Sequence, residues 1–518
     1  MAIHTVGVRP GVRPRVPAST LLGMLLLVLG MSPIAALFLS VEMTPGARLA
    51  WSVAGMTLVT AGCLALVRQR IETAGSAGWA RVGPAYVVYF GFAFGLASLA
   101  WLRPQGGSHA IVDPANVPAA VLVATIALVA WTVGYCVGPP RLVTRAAARI
   151  LIHSIPGVHW RMRFRSVPLV LYGIATLARV QRIREGRFAY LQDVGEAISS
   201  PSSLNQLLAL TEGLALCGVV LAALDAAQLS RSLRSRLVLV VLAGCEIVVG
   251  LFAASKETVL LTLAAIGLVW VFSRDRLPRF GLIAAMMLVL VVFPYNTAYR
   301  DTIRQDQAGS LAPEGVARAI PVTASATLGQ LTPRAFFVDS PAQVSARVRQ
   351  IDNIAVIGQR TPERIPYRSW SELIVGPVTG LVPRALWPGK PVLSTGLDFS
   401  EDYYDLPASV QSSSAVTVPG DLLRHGGITP LVIGMVLVGM LVRTVDRTCD
   451  PGRDARHLLF FVPLFTMLIK SESDVVVLVV GLIQTTVILM LVSRFAFVTR
   501  PSPAEASAGS GTNRSNRR

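Results

Sequence analysis

Long apolar runs recur along the chain, and each approaches the length that a helix needs to cross a membrane. A bilayer core of about 30 Å takes roughly 20 residues of α-helix. The pattern predicts an all-α polytopic integral membrane protein with about 12 transmembrane helices and one large extracytoplasmic loop. The predicted helices, of which the fifth and eleventh are short, are Thr20–Val41, Leu49–Val67, Pro84–Trp101, Val117–Val137, Ser166–Ile183, Leu204–Leu224, Leu237–Ala254, Glu257–Phe272, Phe280–Tyr295, Ile428–Val442, Leu458–Ile469 and Val475–Val492.

Composition supports this class, because only 15% of the residues are charged, whereas soluble domains carry about 25%. The first run is too long for a signal peptide and lacks a small-residue cleavage site. We divide the chain into a cytoplasmic segment (1–19), helices one to nine (20–297), a loop (298–427), helices ten to twelve (428–496) and a cytoplasmic tail (497–518). The tail from Pro501 and the first sixteen residues are predicted to be disordered.

The net charge of +18 has a directional distribution. With the N-terminus inside, most Lys and Arg residues fall on the cytoplasmic side, as the positive-inside rule requires. The sequence therefore predicts a plasma membrane protein with both termini in the cytoplasm, anionic lipids as partners of the arginines, and no nucleic acid. The worst fit is Arg179 to Arg187, four arginines placed outside; the alternative is that they line a site.

The five cysteines favour neither a disulfide framework nor a metal site. Four of them lie within predicted helices and Cys449 lies in a cytoplasmic loop. No CxxC or Cys/His cluster occurs, so no metal and no cofactor are expected.

The loop between helices nine and ten is far longer than the other segments that connect the predicted helices. Its charge is balanced, and a loop of this length is usually functional. Ser340–Val356 is predicted to be a helix, with Pro341 in its first turn. Leu373–Leu386 is apolar but interrupted by Gly and Pro, which predicts a membrane-dipping segment over 371–388. Such a segment needs protein or a water-filled cavity around its backbone.

Basic residues cluster in the second half of this loop. Arg384, Lys390, Arg424 and His425 are candidate anion contacts, since Arg and Lys bind phosphate and His suits proton transfer. Asp421, Tyr403 and Tyr404 stand nearby in the sequence. The alternative interpretation is that these are solvated loop charges beside turn glycines.

Two sequence runs carry a resemblance to a known family. Pro-Arg-Ala-Leu-Trp-Pro-Gly-Lys-Pro (383–391) is followed by Pro-Gly-Asp-Leu-Leu-Arg-His-Gly-Gly (419–427) and a hydrophobic helix. Together with a large outer loop late in the chain, they resemble the Wzy-type oligosaccharide repeat-unit polymerases (O-antigen polymerases), which share a superfamily with the O-antigen ligases. The resemblance covers the architecture from about Ser166 to Val492.

The resemblance implies a metal-independent glycosyltransferase that acts on polyprenyl-pyrophosphate-linked oligosaccharides, such as undecaprenyl-linked repeat units, with a chain-length regulator as a possible partner. A hydroxyl of one unit attacks the anomeric carbon of the growing chain, and lipid pyrophosphate leaves. Catalytic roles then fall to His425, Arg424, Arg384 and Asp421. Substrate or pyrophosphate binding falls to Lys390, Lys256, Arg300, Arg304, Tyr403 and Tyr404.

A second set of polar residues lies within the predicted membrane region. Glu212 and Glu246 lie about eight residues inside the outer ends of helices six and seven, or roughly 12 Å deep. Glu257 and Lys256 form the next hairpin. Ionisable residues at depth are costly and usually functional; the alternative is structural pairing.

Three other functions remain open. An O-antigen-ligase-type enzyme shares the donor and differs in the acceptor. A GT-C glycosyltransferase needs an acidic residue in the first outer loop, where only Glu42 is present. A flippase or exporter of lipid-linked glycans predicts charges along many helices and no large loop.

Overall fold

The structure is a computed structural model. It describes residues 18–39, 43–71, 75–102, 111–154, 160–185, 203–253, 255–276, 278–306, 348–382, 386–387, 389–390, 395–407, 414–470 and 472–499. The predicted disordered segments at both termini lie outside these residues, as does most of the first half of the predicted loop.

The first half of the fold contains twelve α-helices and one short strand among the described residues. Two of the helices lengthen into other helical forms: α4 continues as a π-turn and a 3₁₀ helix to Leu102, and α9 ends in a π-turn. The elements are α1 Ala18–Leu39, α2 Pro45–Gln69, α3 Gly75–Trp79, α4 Val82–Phe90, α5 Val117–Val137, α6 Arg141–Ser154, β1 Trp160–Met162, α7 Val167–Arg184, α8 Ser203–Glu212, α9 Leu214–Leu224, α10 Leu233–Phe252, α11 Lys256–Arg274 and α12 Arg279–Asp306.

The second half begins with four short helices and ends with three longer ones. They are α13 Ile351–Arg360, α14 Trp370–Leu381, α15 Thr395–Tyr404, α16 Val418–Arg424, α17 Ile428–Thr448, α18 His457–Ile469 and α19 Val475–Ala496. A final strand, β2 (Phe497–Thr499), pairs with β1 in antiparallel register. Neither this small ribbon nor the amphipathic helix α6 was predicted. The ribbon was missed because strands of three residues are too short to show an alternating pattern.

Every predicted apolar run coincides with a helix, which confirms the all-α class. In the described part of the chain, eight helices are long and apolar enough to cross a membrane. The first, ninth and eleventh runs are represented by shorter apolar segments, and the fifth corresponds to α7, which carries Arg179, Arg182 and Arg184. The chain is therefore a membrane protein by its helices, while the number of twelve crossings stays a prediction.

Two helix pairs approach closely because glycine occupies the crossing points. In the α1–α2 pair, a β-carbon added to Gly30 would lie 2.7 Å from the carbonyl oxygen of Gly55. In the α5–α17 pair, a β-carbon added to Gly439 would lie 2.8 Å from the backbone nitrogen of Tyr135. Small residues at crossings allow backbones to pack where no hydrophobic effect drives association.

Contacts sort the helix ends into two groups, and this sorting agrees with the predicted alternation. At one end, the Val82 and Gly83 amides donate to Asp446, and the Ala77 amide donates to Asp275. At the other end, Trp101 Nε1 donates to Asp352, and Lys470 Nζ donates to Glu257. The two ends are called here the Asp446 end and the Asp352 end. The charge pattern predicts that the Asp446 end is cytoplasmic.

The predicted loop is largely helical in its described residues, and two helices differ in extent from the predicted ones. It was predicted to begin at Ala298, but α12 continues to Asp306. Within the range predicted as a helix, Ser340–Val356, the helical structure of the described part is interrupted at residues 349–350, and a helix runs from Ile351 to Arg360. Its amphipathic pattern continues past Val356, and the sequence estimate stopped too early. Residues 340–347 lie outside the described part.

Candidate functional site

The apolar segment at 371–388 contains helix α14, which lies beside the first turns of α19. A β-carbon on Gly376 would lie 2.7 Å from Val476, and one on Gly380 would overlap Val480. Because the two contacts advance together along both chains, the helices run parallel. α14 is 12 residues long and spans about 18 Å. This geometry supports the prediction that the segment dips toward the bilayer next to α19.

Helix α16 is a short helix whose acidic residue joins it to α19. Its N-cap, Thr417, has a φ of 67° and accepts a hydrogen bond from the Gly420 amide. The carboxylate of Asp421 accepts from Arg424 Nε at 2.8 Å and from the amide of Val475, the first residue of α19, at 2.9 Å. Asp421 and Arg424 are 1% and 2% exposed, so the pair is desolvated. Asp421 thereby fixes α16 against α19.

His425 follows directly and is equally buried, at 2% exposure. Its Nδ1 lies 2.7 Å from the main-chain carbonyl oxygen of Asp421. A carbonyl only accepts, so Nδ1 carries a hydrogen, and in the neutral ring the lone pair lies on Nε2. Nε2 has no hydrogen-bond partner among the described residues, and Arg424 Nη1 also has none there. Each residue of this pair therefore keeps one unused polar nitrogen.

Residues before and within α14 close the other side of the site. The Arg368 amide donates to the Arg424 carbonyl at 3.0 Å, which ties the two segments together. Glu372 Oε2 lies 3.6 Å from His425 Nε2 and 3.6 Å from Arg368 Nη1. Arg368 also lies within 3.8 Å of Asp398 on α15. The local chain therefore holds a carboxylate next to the free imidazole nitrogen.

These elements enclose a cavity of about 320 Å³. Its wall is polar at α15 and α16 and becomes apolar along α14 and α19. Acidic side chains outnumber arginines in this wall. The lining residues are Arg368, Ser371, Glu372, Val375, Gly376, Thr379, Thr395, Asp398, Asp421, Arg424, His425, Asp474 and Val476.

Asp474 is both a helix cap and part of the cavity wall. Its carboxylate accepts from the Val477 amide at 2.7 Å and caps α19. Burial raises the pKa of Asp474, and the nearby Asp421 carboxylate acts in the same direction. The side chain therefore holds a proton more readily than an exposed aspartate.

The site residues predicted from sequence divide into two groups. His425, Arg424 and Asp421 lie together and line the cavity. Lys390 does not line it: its Nζ donates to the carbonyl oxygens of Gly380 and Val382, at 3.0 Å each, and caps the C-terminal end of α14. Arg384 lies outside the described residues.

Tyr403 and Tyr404 support the site from behind without lining the cavity. The Tyr403 hydroxyl lies 2.7 Å from Thr361 Oγ1, and the Tyr404 hydroxyl donates to Asn353 Oδ1 at 2.7 Å. Both hydroxyls therefore join α15 to the α13 region. Their predicted contact with substrate has no geometric support in these positions.

The membrane-embedded glutamates are paired with α7. Arg179 Nη1 and Nη2 lie 2.5 and 3.1 Å from the two oxygens of Glu246, and Arg182 Nη1 lies 2.7 Å from Glu212. This explains why α7 carries arginines that fit the charge rule poorly. The pairs are bidentate or partly buried and hold α7 against α8 and α10.

The remaining predicted residues lie away from the cavity or outside the described part. Glu257 pairs with Lys470 at 2.7 Å, and Lys256 begins α11 beside it without lining the cavity. Arg300 and Arg304 belong to α12, but their side chains lie outside the described residues. Among the described residues, no group of three His, Cys, Asp or Glu side chains is arranged to hold a metal ion.

Residues 189–497 match the family described as "Domain of unknown function (DUF8712)". The chain belongs to this family. The DUF8712 region begins after α7 and contains the complete cavity wall. Arg179 and Arg182, which neutralise the two embedded glutamates, come from outside it. No curated protein and no solved structure matches the chain.

Sequence reasoning missed four charged residues of the DUF8712 cavity. Arg368 precedes α14, Glu372 lies in the first turn of α14, and Asp398 lies on α15. Asp474 stands immediately before the apolar run of α19, which is a helix-start signal. The same signal was present at Ser369, the N-cap of α14, with Glu372 three residues later. Attention to helix starts would have found two of the four.

Proposed function

We propose that this protein is a metal-independent glycosyltransferase that joins polyprenyl-pyrophosphate-linked oligosaccharide units into a surface polysaccharide. The reaction takes place at the outer leaflet of the bacterial plasma membrane, to which the charge pattern assigns the Asp352 end. The observation that carries the proposal is the cavity itself. It combines an imidazole Nε2 and a buried arginine Nη1, neither with a hydrogen-bond partner among the described residues, with apolar residues of two helices in the same wall.

The chemistry accounts for these side chains. The acceptor hydroxyl transfers its proton to His425 Nε2, and its oxygen forms a bond to the anomeric carbon of the donor. The bond from that carbon to the pyrophosphate oxygen breaks, and the electron pair leaves with the lipid pyrophosphate. Arg424 is suited to stabilise the leaving group. The carboxylates suit the positive charge that develops on the sugar ring.

The cavity also fits a substrate that has a membrane-embedded tail. α14 exposes Ile374, Val375 and Val378, and Val375 is part of the cavity wall as well. A polar head group in the cavity thus has an apolar surface beside it along which a lipid chain can lie. A soluble nucleotide sugar has no use for such a surface.

Deletion of the gene, followed by sizing of the surface glycan, tests the proposal. We expect single repeat units in place of long chains. Full-length chains that remain on the lipid carrier indicate the ligase, which shares the donor. Loss of all lipid-linked intermediates from the outer face indicates a flippase. Unaltered surface glycan contradicts all three functions.

Point variants then assign the activity to the cavity. His425→Ala and Arg424→Lys should fail to restore long chains in the deletion strain, while membrane levels of the protein stay normal. A loss of about 10²-fold or more is expected for a missing general base. Glu401→Gln is the control, because Glu401 is exposed on α15 and does not line the cavity. Long chains in both cavity variants refute this site.

A further inference from the structure

Two hydrogen-bond acceptors stand against each other in the cavity with no proton donor between them among the described residues. With Nδ1–H committed to the Asp421 carbonyl, the neutral ring presents a lone pair at Nε2, and the Glu372 carboxylate lies 3.6 Å away. Two acceptors at this separation repel each other unless a hydrogen lies between them. A donor completes the gap: a hydroxyl of water or of a ligand, or the imidazole itself once it is protonated.

We infer that Glu372 and His425 form a proton-accepting dyad for a ligand hydroxyl, with Glu372 as the residue that stabilises the imidazolium. Its identity as a sugar hydroxyl rests on the proposed function. In the step, the ligand O–H bond breaks and its proton moves to Nε2. The resulting imidazolium is ion-paired with Glu372, which passes the proton to solvent.

The local structure holds the Glu372 carboxylate next to His425 and away from the N-cap amide of its own helix. Glu372 is the third residue of α14 after the N-cap Ser369, where a glutamate commonly bonds back to the N-cap amide. Here its carboxylate instead lies between Arg368 and His425. The hydrogen bond from the Arg368 amide to the Arg424 carbonyl fixes the distance between the two segments. Glu372 is half-exposed, so it has access to water for proton release.

The charges around the imidazole are asymmetric. Asp421 and Arg424 on its own segment neutralise each other at 2.7 Å. Asp474 at the start of α19 is occupied by the Val477 amide. Arg368 is shared among several acids, Glu372 and Asp398 among them. Asp421 Oδ1 also lies 3.7 Å from His425, but on the Nδ1 side and paired with Arg424. Glu372 is the carboxylate that faces Nε2, where His425 takes up a proton.

Carbethoxylation of His425 by diethyl pyrocarbonate tests the dyad without any assumption about function. The reagent acylates the imidazole lone pair and does not react with imidazolium. The purified full-length protein in detergent is labelled at pH 6 and at pH 8, and the modification rate of each of the six histidines is followed by mass spectrometry. The ratio of the two rates cancels changes in access to the cavity. His457, whose Nδ1 lies 2.9 Å from the Asp450 carbonyl at the opposite end, is the internal reference.

Removal of the Glu372 charge should raise the ratio of the pH 6 rate to the pH 8 rate at His425. We expect an increase of about threefold or more in both Glu372→Gln and Glu372→Ala, because each loses the carboxylate that stabilises the imidazolium. Glu401→Gln and the His457 ratio should not change. An unchanged ratio at His425 in both variants overturns the dyad.

The same variants separate this inference from the proposed function. If the ratio rises and long surface glycan is lost while protein levels hold, both stand. If the ratio rises and the glycan remains normal in the Glu372 variants, the dyad stands and its part in glycan synthesis fails; the glycan function itself is decided by the gene deletion. If the ratio is unchanged, the dyad fails, whatever the surface glycan shows. Glu372→Asp should then restore no more long surface glycan than Glu372→Gln does.

Discussion

The α5–α17 crossing gives a sharp test of how the site is positioned, because α17 begins directly after the His425 turn. Gly439 on α17 lies against the backbone of α5. A β-carbon there would lie 2.8 Å from the nitrogen of Tyr135 and closer still to the carbonyl oxygen of Trp131. Both obstacles are backbone atoms, which cannot rotate away. Gly439→Ala must therefore push the two helices apart.

The size of the effect follows from this geometry. An ordinary carbon contact begins near 3.4 Å, so the Tyr135 contact alone requires about 0.6 Å of separation. Overpacking of this kind costs about 1–3 kcal/mol when side chains yield, and here the backbone has to yield. The Tyr135 hydroxyl also donates to Asp446 at 2.8 Å, and separation stretches this bond. We expect a loss of about 3 kcal/mol.

Thermal unfolding of the purified protein in detergent measures this loss. Gly267→Ala on α11 is the matched control, since nothing lies within 4 Å of a β-carbon at Gly267. Alanine should stabilise that helix by roughly 0.5–1 kcal/mol. Equal unfolding temperatures for Gly439→Ala and wild type would refute the close crossing.

Three further changes have defined outcomes. Asp474→Asn keeps the α19 cap and removes a desolvated charge, so thermal stability should hold or rise, whereas Asp474→Ala should lose about 1 kcal/mol. Glu246→Ala strands buried Arg179 and should cost about 3 kcal/mol, whereas Arg179→Met with Glu246→Leu should recover most of it in the same unfolding assay. A hydrogen bond from Arg360 holds the pKa of Asp405 below its usual range; Asp405→Asn should therefore be less stable than wild type at neutral pH, and the difference should vanish as the pH falls well below about 4.

Helix positions were predictable because membrane-spanning helices follow from the simplest signal in a sequence. All twelve apolar runs became helices, since a run of about 20 apolar residues has few alternatives in a bilayer. The length of an apolar run is a weaker signal where charged residues of a helix pair with another helix. α7 is hard to detect because three arginines interrupt its C-terminal half. Two of these arginines form ion pairs with Glu212 and Glu246. The partners lie 30 and 67 residues away in the sequence, so no local pattern predicts the pairs.

The site was predictable only where one short segment supplies it. Asp421, Arg424 and His425 lie within five residues and were found together. Glu372, Asp398 and Asp474 come from three other helices, and tertiary packing brings them to the same cavity. Lys390 shows the opposite error, a residue wrongly assigned to the site. A lysine beside glycine and proline resembles an anion contact, but this lysine donates to the C-terminal carbonyls of α14 instead.

The charge balance of the cavity restricts the geometry of the proposed reaction. A pyrophosphate carries concentrated negative charge, and it would meet Glu372, Asp398 and Asp474 inside the cavity. A sugar ring is neutral and becomes positive as its bond to phosphate breaks, so the same carboxylates favour it. The proposed chemistry therefore requires the ring next to these carboxylates and the pyrophosphate on the Arg424 side of the cavity. Arg384, which lies between α14 and α15 in the sequence and outside the described residues, is the other arginine of the predicted catalytic set. With a role in pyrophosphate binding, Arg384→Gln should weaken donor binding more than it slows transfer.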